Sequence, residues 1–201
     1  MGKIIGITGG IASGKSTATN FLRQQGFQVV DADAVVHYLQ RPGGRLYQLL
    51  VQHFGQKIIL ENGELNRPLL ANLIFSNPEE REWSKQTQGE IIREELAALQ
   101  DQLAQTEAIF FMDIPLLFEQ GYSAWFDETW LVYVNRDVQV ERFMKRDHLS
   151  KEVAESRLAT QWSLEEKKGL ATHVLDNNGS RNQLVSQVVK LLEGGDSCAR
   201  D

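Results

Sequence analysis

The segment Gly9-Gly10-Ile11-Ala12-Ser13-Gly14-Lys15-Ser16-Thr17 constrains this chain more than any other stretch. It fits the pattern G-x-x-x-x-G-K-[ST], with Gly9, Gly14, Lys15 and Ser16 at the required positions. The spacing has a physical basis. Glycines let the backbone adopt positive φ and turn its N–H groups into an anion-binding concavity. Such a loop opens into a helix N-terminus, whose free N–H groups and dipole also favour negative charge. In this pattern the lysine reaches β- and γ-phosphates and the Ser16 hydroxyl ligates Mg²⁺. The flanks agree. Lys3-Ile4-Ile5-Gly6-Ile7-Thr8 reads as a buried strand, and Ser16 to Gln25 as a helix with Gly26 as its stop. The dinucleotide fingerprint G-x-G-x-x-G is absent, which disfavours a Rossmann cofactor site.

Four further strands are expected, at Phe27–Asp31, Ala108–Asp113, Thr129–Val134 and His173–Leu175. Strands alternating with helices indicate an α/β fold with a parallel sheet, where ligands sit beyond the carboxyl ends of the strands. Asp31 and Asp33, just past the second strand, are read either as cap residues or as substrate-facing acids. Asp113, ending the third strand, is expected to orient substrate or to hold Mg²⁺ directly or through water. Between the second and third strands the chain reads as helical. Arg41-Pro42-Gly43-Gly44 breaks the pattern, and Leu46, Leu49, Leu50 and Phe54 form a packing stripe. Asn62-Gly63 marks a turn and Asn66 a helix start. A long helix begins near Asn77-Pro78 and runs towards Gln105, with Glu80 as a capping-box partner and an interruption or weakening at Gly89. After the fourth strand, Arg142 and Arg146 share a helix face, as a lid over phosphates or as a solvated surface. The last strand exits through Asp176-Asn177-Asn178-Gly179 into a terminal helix near 182–192.

Bulk properties exclude several classes. With 21 Lys and Arg against 27 Asp and Glu, the net charge of −6 disfavours nucleic acid and anionic membranes as partners. No apolar run is long enough to span a bilayer, and the N-terminus shows no signal-peptide pattern. The lone Cys198 rules out an intrachain disulfide framework, in keeping with a cytoplasmic setting. His37, His53, His148 and His173 lack metal-ligand spacing, so zinc is not expected.

Several segments together resemble the dephospho-coenzyme A kinase family: Ile7–Thr17, Asp31-Ala32-Asp33 with His37, Gly63-Glu64-Leu65-Asn66-Arg67, Asp113-Ile114-Pro115-Leu116-Leu117-Phe118-Glu119, Gln139 to Arg142, Arg146, Arg157, Gln161, Lys167, and Asp176–Gly179. They cover nearly the whole chain in the family's order. The resemblance implies a P-loop NTPase-type five-stranded parallel sheet flanked by helices, with a helical substrate-binding insert and a lid. On that basis the core comprises 1–41, 106–136 and 171–195, the insert 42–105, the lid 137–170 and a polar tail 196–201. It also implies transfer of the ATP γ-phosphoryl group to the ribose 3′-hydroxyl of dephospho-CoA, with Mg²⁺ as cofactor and a monomer or weak homo-oligomer as the working form.

By position, Asp33, Lys15 and Arg142 are then the catalytic residues. Gly10, Ile11, Ala12, Ser13, Gly14, Lys15, Ser16, Thr17, Arg142 and Asn177 bind ATP. Thr8, Asp33, His37, Arg67, Asp113 and Leu116 contact the acceptor, and Ser16 and Asp113 take the metal. The sequence departs from the family at Ala12, commonly Gly, at Gln88-Gly89, commonly His-Pro, and at Thr172-His173, commonly Ala-Asp. A nucleoside or nucleotide kinase shares the loop and lid logic. A GTP-driven switch, from another class, calls for an Asn-Lys-x-Asp motif that is missing here.

Overall fold

The computed structural model describes residues 2–195; Cys198 and the tail expected at 196–201 lie outside them. The described residues form two compact units, one of residues 2–30 and 104–195, the other of residues 31–103.

In the first unit, β1 (Lys3–Gly9) is followed by α1 (Lys15–Gln24) and β2 (Gln28–Asp31), whose last residue opens the second unit. Chain order resumes in this unit with β3 (Ile109–Asp113), β4 (Glu128–Tyr133) and β5 (His173–Asp176). The sheet order is β2-β3-β1-β4-β5, with β1 parallel to β3 and β4, and β4 parallel to β5. Both faces of a parallel sheet are covered, so its strands read as unbroken apolar runs; Phe110, Phe111 and Met112 are accordingly all buried. On one face Ile5, Ile7, Phe111, Trp130, Val132 and Leu175 pack with Ala18 and Leu22 of α1 and with later helical residues Leu184 and Val188. The strand-end register fixes the position of the third-strand acid. Ile7 pairs with Asp113, so the acid sits one residue short of Thr8 and Gly9, at the carboxyl edge of the sheet.

The second unit holds α2 (Ala32–Leu39), α3 (Arg45–Phe54), α4 (Arg67–Ser76) and most of α5 (Pro78–Thr106). It thus begins at Asp31, ahead of the Arg41–Gly44 break, and α2 belongs with the helical insert. The stripe behaves as packing: Leu46, Leu50 and Phe54 of α3 are buried with Leu39, Ile58, Leu65 and Leu70. Asn66 caps α4 by accepting the Leu69 N–H at 3.1 Å, with Pro68 in the first turn, where its missing N–H costs nothing.

Two expectations for α5 are corrected. The helix runs unbroken through Gly89 for 29 residues, because its neighbours sustain the ladder and a lone glycine lowers helix stability without breaking it. No capping box forms at Glu80. Asn77 alone accepts a helix N–H, from Glu79 at 2.9 Å, while the Glu80 carboxylate pairs with His53, whose ring stacks on Trp83.

The remaining helices belong to the first unit: α6 (Arg136–Asp147), α7 (Lys151–Leu158), α8 (Leu164–Lys168) and α9 (Arg181–Gly195). None of the described helices is long and apolar enough to cross a membrane.

At the amino edge of the sheet Lys3, Glu128 and His173 form a charge cluster, with Lys3 Nζ 2.7 Å from Glu128 Oε1. Burial pushes the Glu128 carboxyl up. Hydrogen bonds from Lys3 and Trp130, with the charges of Lys3 and His173, outweigh that and hold it below the ordinary value of 4.5. Thr172 and Thr129 clasp the same edge, each backbone N–H donating to the other's hydroxyl at 3.1 Å.

Two outcomes are expected. A methyl at Gly89 meets open space, so Gly89→Ala should raise the unfolding free energy by about 0.5–1 kcal/mol in urea titrations. The depressed Glu128 carboxyl contributes stability that is present above its unfolded pKa and lost as pH falls through its folded one. Glu128→Gln should therefore lower the thermal midpoint near neutrality, and the gap to the parent should close as the pH falls below the ordinary carboxylate range.

Candidate active site

The loop between β1 and α1 is built by close backbone approaches. Gly14 has φ +90° and immediately precedes α1; a Cβ there would lie 2.1 Å from Asn177 Nδ2. At Gly10 a Cβ would lie 2.6 Å from Gln139 Nε2. Those two amides hold the loop from outside. Asn177 donates to the Ser13 carbonyl at 2.7 Å, and Gln139 of α6 donates to the Ile11 carbonyl at 2.8 Å. Both side chains are buried, so the Ser13 and Ile11 carbonyls are held by fixed donors, and the Ser13 N–H closes a turn onto the Gly10 carbonyl at 3.1 Å. Ala12 occupies the left-handed region at φ +58°, which explains why glycine is common there. The Ile11 and Ala12 side chains pack on Val140, Phe143, Ala154 and Leu158 of α6 and α7, a contact that glycine could not extend.

Charge is concentrated at the loop's mouth. Lys15 forms an ion pair with the buried Asp113 carboxylate. Ser16 is exposed at the start of α1, and Thr17 is half-buried beside it. The Ser13 hydroxyl is buried without a hydrogen-bond partner. Arg142 is turned inward, donating to the Asn177 carbonyl at 2.9 Å, whereas Arg146 is exposed and paired with Asp147. Of the two arginines considered for a lid, the structure therefore positions one and leaves the other at the surface.

Other expected residues fall differently. Thr8 is fully buried and its hydroxyl donates to the Pro115 carbonyl at 3.0 Å, so it braces the turn after Asp113 and presents no free surface to an acceptor. Leu116 is half-buried in that turn. Thr172 and His173 stand at the amino edge of the sheet, away from Asn177 at the carboxyl end of β5.

Within the second unit, Asp31 is a cap: its carboxylate accepts the Ala34 N–H at 3.1 Å. Asp33 is exposed in the first turn of α2, and His37 one turn later shares its face. Arg67 donates to Gln40 Oε1 at the end of the same helix, so α2 and the first turn of α4 form one polar edge.

The oxygen donors Ser16 and Asp113 suit a hard divalent ion such as Mg²⁺, which keeps part of its water shell and needs few protein ligands. Among the described residues no group of three or more His, Cys, Asp or Glu could hold a metal. Residue type alone gives Gln139, Glu119 and Lys167 no role. Their work depends on long-range contacts that no local pattern encodes.

A backbone anion cradle at the carboxyl edge of a parallel sheet, closed by a lysine and the acid of the neighbouring strand, defines a P-loop kinase. Its relatives are specific. The dephospho-CoA kinase sequence profile matches residues 3–183. A dephospho-CoA kinase of Streptococcus pneumoniae is 81% identical, with both chains covered in full, and one of Streptococcus mutans is 56% identical over 95% of this chain and 98% of its own. Among solved structures, a Thermus thermophilus protein superposes with TM-score 0.80 at 33% identity, covering 96% of this chain and 97% of that one. The Campylobacter jejuni dephospho-CoA kinase superposes at 0.77 and 26% identity over the whole of both chains. This chain belongs to the dephospho-CoA kinase family.

Gly14→Ala should cost about 1–2 kcal/mol or more, since it adds left-handed strain to a collision with Asn177. Denaturant unfolding, with pyrophosphate titrated calorimetrically in parallel, would show both the lost stability and the lost anion affinity.

Proposed function

We propose that this enzyme transfers the γ-phosphoryl group of ATP to the ribose 3′-hydroxyl of dephospho-CoA, giving coenzyme A and ADP. The observation that carries the reading is the braced cradle, Gly9 to Thr17 held by Asn177 and Gln139, with Lys15 and Asp113 at its mouth. The same reading puts the enzyme in the cytoplasm, as a monomer or weak homo-oligomer.

In the reaction, the bond between the γ-phosphorus and the β,γ-bridging oxygen breaks and a bond to the acceptor 3′-oxygen forms. The hydroxyl proton passes to Asp33 and then to solvent. Phosphoryl transfer goes through a loose transition state, so placing the two oxygens in line and neutralising charge matter more than base strength. A carboxylate exposed in the first turn of α2 suits a residue that orients the alcohol and accepts its proton late. Loop N–H groups and Lys15 hold the β- and γ-phosphates, with Lys15 exchanging its Asp113 partner for phosphate oxygens. Arg142, already anchored to Asn177, presents its remaining guanidinium donors to the transferring group. Ser16 and Asp113 would hold Mg²⁺, which would supply further neutralisation of the phosphate charge.

The test is a coupled ADP-release assay offering dephospho-CoA, AMP, adenosine or water as acceptor; release dependent on dephospho-CoA alone is expected. Asp33→Asn should lower kcat by roughly 10²–10⁴ with ATP affinity nearly unchanged. A single-turnover rate equal to the parent's would remove Asp33 from the chemistry.

A further inference from the structure

Lys167 lies in α8 with its side chain completely buried (0% exposed). A lysine is almost never fully buried unless it is paired. Its ammonium sits 2.7 Å from Glu119 Oε1 and donates to the Pro115 carbonyl at 3.1 Å. Replacing such a buried pair with apolar groups of similar volume is often neutral or stabilising, so fold stability alone is a poor account of it. Its position supplies a better one.

The Pro115 carbonyl takes two donors from two elements: Thr8 Oγ1, one residue ahead of the phosphate loop, and Lys167 Nζ from α8. Proline has no N–H with which to fix this turn, so its carbonyl is the group available to hold. Next to it, Ile114 N–H donates to the Ile7 carbonyl at 2.9 Å, and Asp113, one residue earlier, meets Lys15. Glu119 closes the other side, accepting from Lys167 and from the Trp162 N–H at 3.3 Å. The helix that carries Lys167 is itself anchored. Tyr133 hydrogen-bonds Glu165, and Lys168 Nζ lies 4.4 Å from the centre of the Tyr133 ring. The bond to Glu165, with burial, raises the Tyr133 phenol to about 12, so it stays a proton donor at any working pH.

We propose that Lys167 is a positioning residue for phosphoryl transfer: its ammonium clamps the Pro115 carbonyl against Thr8 and so holds Asp113 in register with Lys15 at the mouth of the phosphate loop. The inference rests on the kinase reading of the site. Lys167 touches neither substrate; it acts through the turn. Small misplacements at a reacting centre are costly, with about 1 Å worth up to about 10²-fold in rate.

The parent is assayed first, because a parent inactive with dephospho-CoA would overturn the reading of the reaction itself. Lys167→Met alone strands the buried Glu119 charge, so it is combined with Glu119→Gln, which keeps an acceptor for the Trp162 N–H. The double variant is expected to melt close to the parent, to keep its KM for ATP, and to lose about tenfold to 10²-fold in kcat. A folded double variant with the parental kcat would overturn the proposal. Thr8→Val provides a second route should the double variant not fold, since it removes the other donor to Pro115 and strands no charge. A lower kcat with both KM values unchanged supports the clamp; a raised acceptor KM at unchanged kcat overturns it.

Discussion

The parallel pairing of β3 against β1 is the constraint on which the site depends. Register alone places Asp113 opposite Ile7, at the point where the chain leaves the sheet for the phosphate loop. Lysine and acid lie 98 residues apart in sequence, yet the sheet brings them into an ion pair. That register is held by the packing of particular side chains, Phe111 among Ile5, Ile7, Trp130 and Val132. A slip of one residue would invert Phe110, Phe111 and Met112 relative to their packing partners and carry the acid away from the loop.

The loop itself is held more by its surroundings than by its own sequence. Glycines permit its conformation, but two buried amides from distant elements select it, Asn177 after β5 and Gln139 in α6. Arg142 is tied to the same Asn177 carbonyl, so loop, strand end and lid-side helix share one hydrogen-bonded junction. Apolar contacts from Ile11 and Ala12 to α6 and α7 reinforce it. Ala12 stays in a left-handed conformation because these contacts offset the strain of a β-carbon there.

The helical unit is organised differently. Its stability rests on a leucine-rich stripe from α3 packed with Ile58, Leu65 and Leu70, which leaves the polar edge of α2 free to carry Asp33 and His37. Asp31 and Asp33 are two residues apart and chemically identical, yet they are used differently. One satisfies a helix N–H and the other faces solvent, because residues two apart on a helix start point in different directions.

Much of this is legible in the residue order. Strand, glycine loop and helix, the five strands, the α3 stripe, the Asn66 cap and the Asp176–Gly179 turn are each announced by the pattern of a few neighbouring residues, even where distant partners hold them in place. Gly89 and Glu80 depart from the local expectation because a long helix tolerates one weak position and a carboxylate can prefer a histidine from another helix to its own N-terminus. What only the tertiary structure decided was partnership: that Thr8 braces Pro115, that Arg142 turns in while Arg146 stays out, that Gln139 and Asn177 hold the loop, and that Lys167 is buried on Glu119. Those contacts join residues from 35 to 164 positions apart, and packing, with no local pattern to announce it, selects each one.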